Sequence, residues 1–313
     1  MLGYLLRRLL AAIPVMGVVA LFVFLLLRLT PGDPAAILAG DNATAEQLER
    51  IRTSLGLNEP LYTQFFTWIG RLAHGDLGTS LTSNQPVLKL IGQRIEPSVA
   101  IAVSTIILSI LIAVPLGVIA AWQRGTWIDR FVMGLSVVGF SVPVFVIGYV
   151  LIQIFAIDLH WLPVQGYRSI AGGFGPFLER LILPTLTLSF IYVALIARMT
   201  RASMLDVLGE DYVRTARAKG INEAGVLLRH GLRNAAVPVI TVIGTGFALL
   251  ISGVVVTESV FNLPGIGRLT VDAVLGRDYP VIQGLILLTS GVYLGVNLLI
   301  DVAYTLLDPR IRY

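Results

Sequence analysis

SVAIAVSTIILSILIAVPLGVIAA, residues 98–121, carries no charged side chain. At a helical rise of about 1.5 Å per residue it is long enough to cross a hydrocarbon core of roughly 30 Å. Comparable apolar runs recur at 9–27, 131–156, 181–200, 237–257 and 281–307. The pattern predicts an all-α integral membrane protein with six transmembrane helices.

Composition points the same way. Of 313 residues, 56% are hydrophobic and 13% charged, and the mean hydropathy is +0.82; ordinary soluble domains carry about 25% charged residues. A soluble globule is excluded. The net charge of +4 is read as membrane topology and not as a nucleic-acid surface, because membrane proteins collect Lys and Arg at cytoplasmic helix ends. With no Cys, the chain has no disulfide and no thiolate chemistry.

Arg7 and Arg8 precede the apolar run Leu9 to Leu27, and no small-x-small cleavage site follows it. The run exceeds the roughly 7 to 15 residues of a signal-peptide core, so the reading is a retained helix that starts in the cytoplasm. Six crossings then put residues 122–130, 201–236 and 308–313 on the inner side. Thirteen of the 23 basic residues fall at inner ends or loops, among them Arg7, Arg8, Arg124, Arg130, Arg198 and Arg201. The chain divides into an N-terminal transmembrane helix (1–29), a periplasmic helical region (30–95) and a five-helix core (96–313) that carries a long cytoplasmic loop at 201–236.

Within 30–95, the turn Pro31-Gly32-Asp33-Pro34 opens the region, and Thr44 with Gln47 has capping-box spacing ahead of Leu48, Ile51 and Leu55. Gly56 suits a helix C-terminal cap. A second helix is expected after Asn58, with Pro60 in its first turn and Leu61, Phe65, Trp68 and Leu72 on one stripe, facing the membrane surface or the bundle. Pro115, Pro143 and Pro184 fall inside predicted spans, where each removes a backbone hydrogen bond that lipid cannot replace. They, with Ser141, are candidates for a lined pathway or for plain kinks. Gly134, Gly139, Gly148, Gly244 and Gly246 permit close helix approach.

The loop is too long for a tight turn and reads as two short helices divided by Gly220. The first, around Gly209 to Lys219, has Glu210 and Asp211 early and Arg214, Arg217 and Lys219 late, matching the helix dipole. Asn222 caps the second, in which Leu227, Leu228 and Leu232 are expected to form one apolar face. A helix, glycine elbow and helix on the cytosolic side suits a groove in another protein.

Arg214-Thr215-Ala216-Arg217-Ala218-Lys219-Gly220 resembles the EAA loop of ABC-importer permeases. It departs from the pattern where Arg214 and Thr215 replace the Glu-Ala opening and where the closing box reads His230-Gly231-Leu232-Arg233. These substitutions are similar to those of the B-type permease of dipeptide and oligopeptide importers. Further segments resemble it in order and spacing: Pro31-Gly32-Asp33-Pro34, Leu55-Gly56-Leu57, Gly75-Asp76-Leu77-Gly78, Ser141-Val142-Pro143, Gly209-Glu210-Asp211-Tyr212, Asn262-Leu263-Pro264-Gly265, Arg277-Asp278-Tyr279-Pro280 and Asp308-Pro309-Arg310-Ile311-Arg312.

The resemblance implies a type I importer permease with an extracytoplasmic helical insertion after its first span, lying in the bacterial inner membrane with both termini cytoplasmic. It implies a second permease, two cytoplasmic ATPases and a periplasmic or lipid-anchored substrate-binding protein as partners. It places Glu210, Asp211, Tyr212, Arg214, Ala216, Ala218 and Gly220 at the ATPase contact. ATP and Mg would be bound by the partners, since neither Lys89 nor Lys219 sits in a Walker A loop. No cofactor or metal is expected in this chain. The implied cargo is dipeptides or short oligopeptides; glutathione, nickel chelates and opine-like compounds use similar permeases, and the short outer loop at 157–180 looks like that of the glutathione type.

Three further positions stand out. Asn297 and Asp301 are candidates for an intramembrane polar interaction in the sixth span, and Asp301 also suits an interfacial contact near the cytoplasmic end. Glu258 either faces the pathway or a docking protein, or is solvent-exposed. An intramembrane hydrolase lacks support, because His74, His160 and His230 lie far apart and no H-E-x-x-H occurs. An ion-coupled secondary transporter is the alternative from another class, but intramembrane acids are few and no inverted repeat emerges. A structural scaffold would leave the long loop unexplained.

Overall fold

The computed structural model describes residues 2–29, 35, 44–54, 56–251 and 254–307. The turn at Pro31–Pro34, Leu55 and the Asp308–Arg312 segment lie outside the described residues. The helices are α1 (Leu2–Leu29), α2 (Ala45–Ser54), α3 (Leu61–Ala73), α4 (Val87–Trp122), α5 (Trp127–Ser141), α6 (Val144–Leu151, running on as a π-helical Ile152–Asp158), α7 (Phe174–Leu208), α8 (Asp211–Ala218), α9 (Glu223–Ile251), α10 (Val255–Val260), α11 (Ile266–Leu275) and α12 (Tyr279–Leu307). No strand is present among the described residues.

Among the described residues five helices, α1, α4, α7, α9 and α12, are long and apolar enough to cross a membrane. The span expected at 131–156 is not one helix: α5 and α6 meet at 99°. The cause is local. Pro143 has no N–H for the Gly139 carbonyl, and the residue before a proline is pushed out of the α region. Val142 accordingly sits at φ −88°, ψ 123°. Pro115 and Pro184 break nothing; α4 and α7 run through them, Pro115 on an exposed face and Pro184 buried. Helix α4 begins at Val87, so the division drawn at 95/96 falls within it.

Helices α4 and α7 form the central pair. Their hydroxyls meet at Ser104 and Thr185 (2.7 Å), and Ser189 donates to the Thr105 carbonyl. Toward the loop end, Gly117 is obligatory: a Cβ there would lie 2.6 Å from Thr200 Cβ and 2.7 Å from the Ala197 carbonyl. Gly139 similarly admits α5 against Ala194, whereas Gly134 faces open space. The apolar core around Ile106, Leu183, Leu188, Phe261 and Leu263 fills the bundle beside this pair.

Two polar clusters fasten the end opposite the loop. Asp278, 2% exposed, accepts from Ser80 Oγ (2.5 Å), Leu81 N (3.0 Å), Thr82 N (3.3 Å) and Thr82 Oγ1 (2.8 Å), clamping the turn before α4 to the start of α12. Glu258, also 2% exposed, accepts from Ser98 Oγ (2.9 Å) and from Arg268 N (2.7 Å) in the first turn of α11, where a carboxylate also meets the helix dipole. Ser98 in turn accepts from Ile266 N at 2.8 Å. Both readings of Glu258 from sequence are thus corrected: it is buried, and it caps a helix. Gly265 lacks a side chain because a Cβ would overlap the Glu258 carboxylate.

In the extramembrane segment, Thr44 N donates to Gln47 Oε1 (3.0 Å) and Gln47 N to Thr44 Oγ1 (3.3 Å), the reciprocal capping box. Gly56 adopts φ +66° behind α2. The aromatic stripe of α3 packs on the bundle: Phe65 and Trp68 lie 5.3 and 5.8 Å, centroid to centroid, from Phe24 of α1, while Leu61 stays exposed.

Burial pushes the Glu258 carboxyl above the usual range, against the Arg268 and Gly267 N–H groups, the Ser98 hydroxyl and the Arg94 charge, which lower it. A raised carboxyl contributes stability that is complete below its unfolded pKa, about 4.3, and is lost as pH rises through its folded value. Glu258→Gln is predicted to flatten this fall in the thermal midpoint measured in detergent across pH. Glu258→Ala, which leaves buried donors unpaired, is predicted to cost on the order of 1–3 kcal/mol.

Candidate functional site

The loop at 209–236 is built as a rigid knob on the end of the bundle. Glu210 takes the N-cap position of α8 with extended backbone (φ −72°, ψ 148°), and Asp211 opens the helix. Gly220 then adopts φ +77°, with Gly220 N bonded to the Arg217 carbonyl (2.9 Å) and Ile221 N to the Ala216 carbonyl (3.3 Å). That pair of bonds is a Schellman cap, and it needs a residue free of the Cβ penalty at positive φ. Asn222 starts α9 with its side chain accepting from Gly225 N at 2.8 Å.

Across the elbow, Arg217 reaches Glu223 with Nε–Oε1 at 3.0 Å and Nη2–Oε2 at 3.4 Å. This two-point pair fixes the angle between α8 and α9. It is half-exposed, so the geometry matters more than the energy. Beyond it, residues Val226–Leu232 of α9 are π-helical. In a π turn, residues five apart share a face, so Leu227 and Leu232 turn inward onto Val118, Ala121 and Met204. Leu228 is 60% exposed, which corrects the expected three-leucine face. Gly231 permits the contact, since a Cβ there would meet Met204 Cε at 2.8 Å.

The residues expected at a partner contact separate into two groups. Asp211, Tyr212, Arg214, Ala218 and Gly220 are exposed, with Glu210 at the turn before them. Ala216 is 5% exposed and Val213 is fully buried, so Ala216 seats α8 on the bundle and is not part of the free surface. Arg214 lies 3.5 Å from Asp211, an exposed i,i+3 pair. Val213 and Ala216 are buried where α8 packs on the π-helical turn of α9, whose Leu227 lies with Met204 of α7 and Val118 of α4 in one apolar cluster.

Two ion pairs anchor the same end. Asp129, 4% exposed, accepts from Arg201 Nε (2.5 Å) and Nη2 (2.8 Å) and from Gly125 N (2.9 Å), joining α5 to α7. Asp301 pairs with Arg8 at 3.1 Å, joining α12 to α1. Asn297 is half-buried one turn away. Sequence reasoning placed Asp301 but not its partner, and it missed the Asp129–Arg201, Arg217–Glu223 and Asp278 clusters, whose members are far apart in sequence or ordinary in spacing. Among the described residues, no group of three His, Cys, Asp or Glu side chains converges as a metal site.

Gly220→Val is predicted to weaken the elbow by about 1–2 kcal/mol, the cost of a side chain in the left-handed region. Amide hydrogen exchange over residues 211–232 is then expected to quicken roughly tenfold, with each 1.4 kcal/mol a factor of ten. Arg217→Ala, removing a half-exposed pair worth at most about 1 kcal/mol, is expected to have a smaller effect.

Comparison with known proteins agrees along the whole chain. Residues 113–313 match the family described as binding-protein-dependent transport system inner membrane component, and residues 1–102 match the corresponding N-terminal family. The probable peptide ABC transporter permease protein y4tP of Sinorhizobium fredii is 56% identical over 310 residues, covering 99% of each chain. The glutathione transport system permease protein GsiC of Escherichia coli is 46% identical over 313 residues, covering 100% of each. Among solved structures, an inward-facing form of the MetNI methionine ABC transporter has a TM-score of 0.57 at 15% identity, covering 71% of this chain and 97% of that one; it bears on the fold alone. With an all-helical bundle, a bent span and a knob at one end, the chain belongs to the binding-protein-dependent transport system inner membrane components, the permease subunits of ABC importers.

Proposed function

We propose that this permease carries short peptides across the inner membrane by alternating access, driven by ATP that partner subunits bind with Mg and hydrolyse. The observation that carries the cargo assignment is the 56% identity, over nearly the full length of both chains, to a probable peptide permease. Glutathione is the second reading. It is favoured by the 46% identity to a glutathione permease and by the short loop between the third and fourth spans.

In this reading the knob end is cytoplasmic, as are both termini, and residues 30–95 lie in the periplasm. A second permease completes the pathway, two ATPases receive the two knobs, and a periplasmic or lipid-anchored binding protein delivers cargo. Exposed Tyr212 and Arg214 would meet the ATPase, with Asp211, Ala218 and Gly220 beside them. Closure of the ATPases moves the knobs together, and because each knob is locked to α4, α7 and α9, the helices move with it. The work comes from contacts that differ between the two states.

The test is purification of the tagged chain in mild detergent followed by mass spectrometry. Wild type is predicted to bring down a second permease and P-loop ATPases. A variant carrying Arg214→Glu and Gly220→Pro, still inserted and folded, is predicted to keep the permease and lose the ATPases. Recovery of the wild type alone, or an ATPase yield indifferent to the variant, would overturn the coupling role.

A further inference from the structure

Arg198 was expected among the basic residues of the inner membrane edge, and its side chain goes elsewhere. Its guanidinium carbon lies 4.9 Å from the centroid of the Phe140 ring. Side chains on a helix tilt toward its N-terminus, so from α7 the guanidinium is directed into the membrane, away from the loop end. Phe140 follows Gly139, which meets Ala194 of α7, and lies eleven residues along α5 from Asp129, roughly 16 Å of helix. The contrast with Arg201 is direct: Arg201 has Asp129 on two hydrogen bonds, whereas among the described residues no carboxylate pairs with Arg198.

Both Arg198 and Phe140 are exposed. A bare guanidinium at that depth is costly against lipid, and such groups face a bundle interior or a water-filled cavity. The adjoining backbone has the same character. At Ser141–Pro143 the helix breaks, and irregular backbone at membrane depth is tolerated where it lines protein or water. Pro143 returns no N–H to the Gly139 carbonyl, which leaves acceptor capacity at the residue before Phe140.

We propose that Arg198, held on Phe140 beside the Gly139–Pro143 break, is a way-station on the translocation route that binds the carboxylate of the cargo. Stacking on the ring leaves the planar N–H edge of the guanidinium free, and that edge matches a carboxylate at two points. Carbonyls at the break accept from cargo N–H groups. Together they complement a zwitterionic, peptide-like molecule that carries a carboxylate and amide or ammonium donors. Exposure to water keeps such binding weak, as passage requires. The assignment rests on the importer reading above and names a chemical requirement on its cargo.

The experiment reconstitutes the complete transporter, with its binding protein, into proteoliposomes and measures ATP-driven uptake of two probes, radiolabelled dialanine and glutathione. Wild type is expected to import at least one. Arg198→Gln is expected to lower that uptake at least tenfold while the second permease still co-purifies and binding-protein-stimulated ATP hydrolysis persists. Arg198→Lys, which keeps the charge and loses the planar two-point edge, is expected to lower uptake severalfold, less than Arg198→Gln does. Unchanged uptake in Arg198→Gln, or an equal loss in Arg198→Lys, would overturn the proposal and leave the importer reading standing. Loss of the second permease from Arg198→Gln would make the residue an intersubunit ion-pair partner and also overturn it. If wild type imported neither probe, the peptide and glutathione reading would itself fail, and the proposal with it.

Discussion

The hydrocarbon core of a membrane contains no water to pair with a backbone N–H or C=O, and the arrangement of this chain follows from that constraint. Where the chain is in the core it is helix, and the helix is allowed to stop only where protein or a cavity takes over. The two ends of the bundle show what the freed backbone requires. Glu258 receives the first turn of α11, and Asp278 receives the turn before α4. At the other end Asp129 holds Arg201, and Asp301 holds Arg8. Each is a carboxylate that gathers donors from elements distant in sequence. They are the points where separate helices become one body.

The knob is stiff because its elbow has a backbone cap at Gly220 and a side-chain brace from Arg217 to Glu223. Its α8 packs on the π-helical turn of α9, whose Leu227 shares a buried cluster with Met204 of α7 and Val118 of α4. The α4–α7 pair is closely packed, with Gly117 against Thr200. The break at Pro143 is the place where the same bundle gives up regular structure.

Much of this was legible in the residues. Hydropathy located the five long apolar helices and the apolar stretch at 131–156, though not its break into α5 and α6, and the capping box at Thr44 and Gln47, the glycine cap at Gly56 and the Asn222 cap each formed where their chemistry required. What was illegible has a common physical origin. Periodicity assumes one kind of helix, so the π turn at Val226–Leu232 displaced Leu228 from its expected face. Proline marks a place where a helix can break, and Pro143 breaks one whereas α4 and α7 run through Pro115 and Pro184. Buried carboxylates such as Glu258 and Asp278 look like surface residues in a string, because their partners, Ser98 and the turn at Ser80–Thr82, lie roughly 160 to 200 positions away. Ala216 looked like contact surface because small residues serve equally to seat a helix and to admit a partner.

Uptake by the purified multi-subunit complex in liposomes, with all ion gradients collapsed, tests whether this permease is driven by ATP that its partners hydrolyse. Cargo is expected to accumulate only with ATP and Mg on the side of the knob, and not with ATP on the other side or with a non-hydrolysable analogue. Accumulation driven by an imposed proton or sodium gradient without ATP would contradict it.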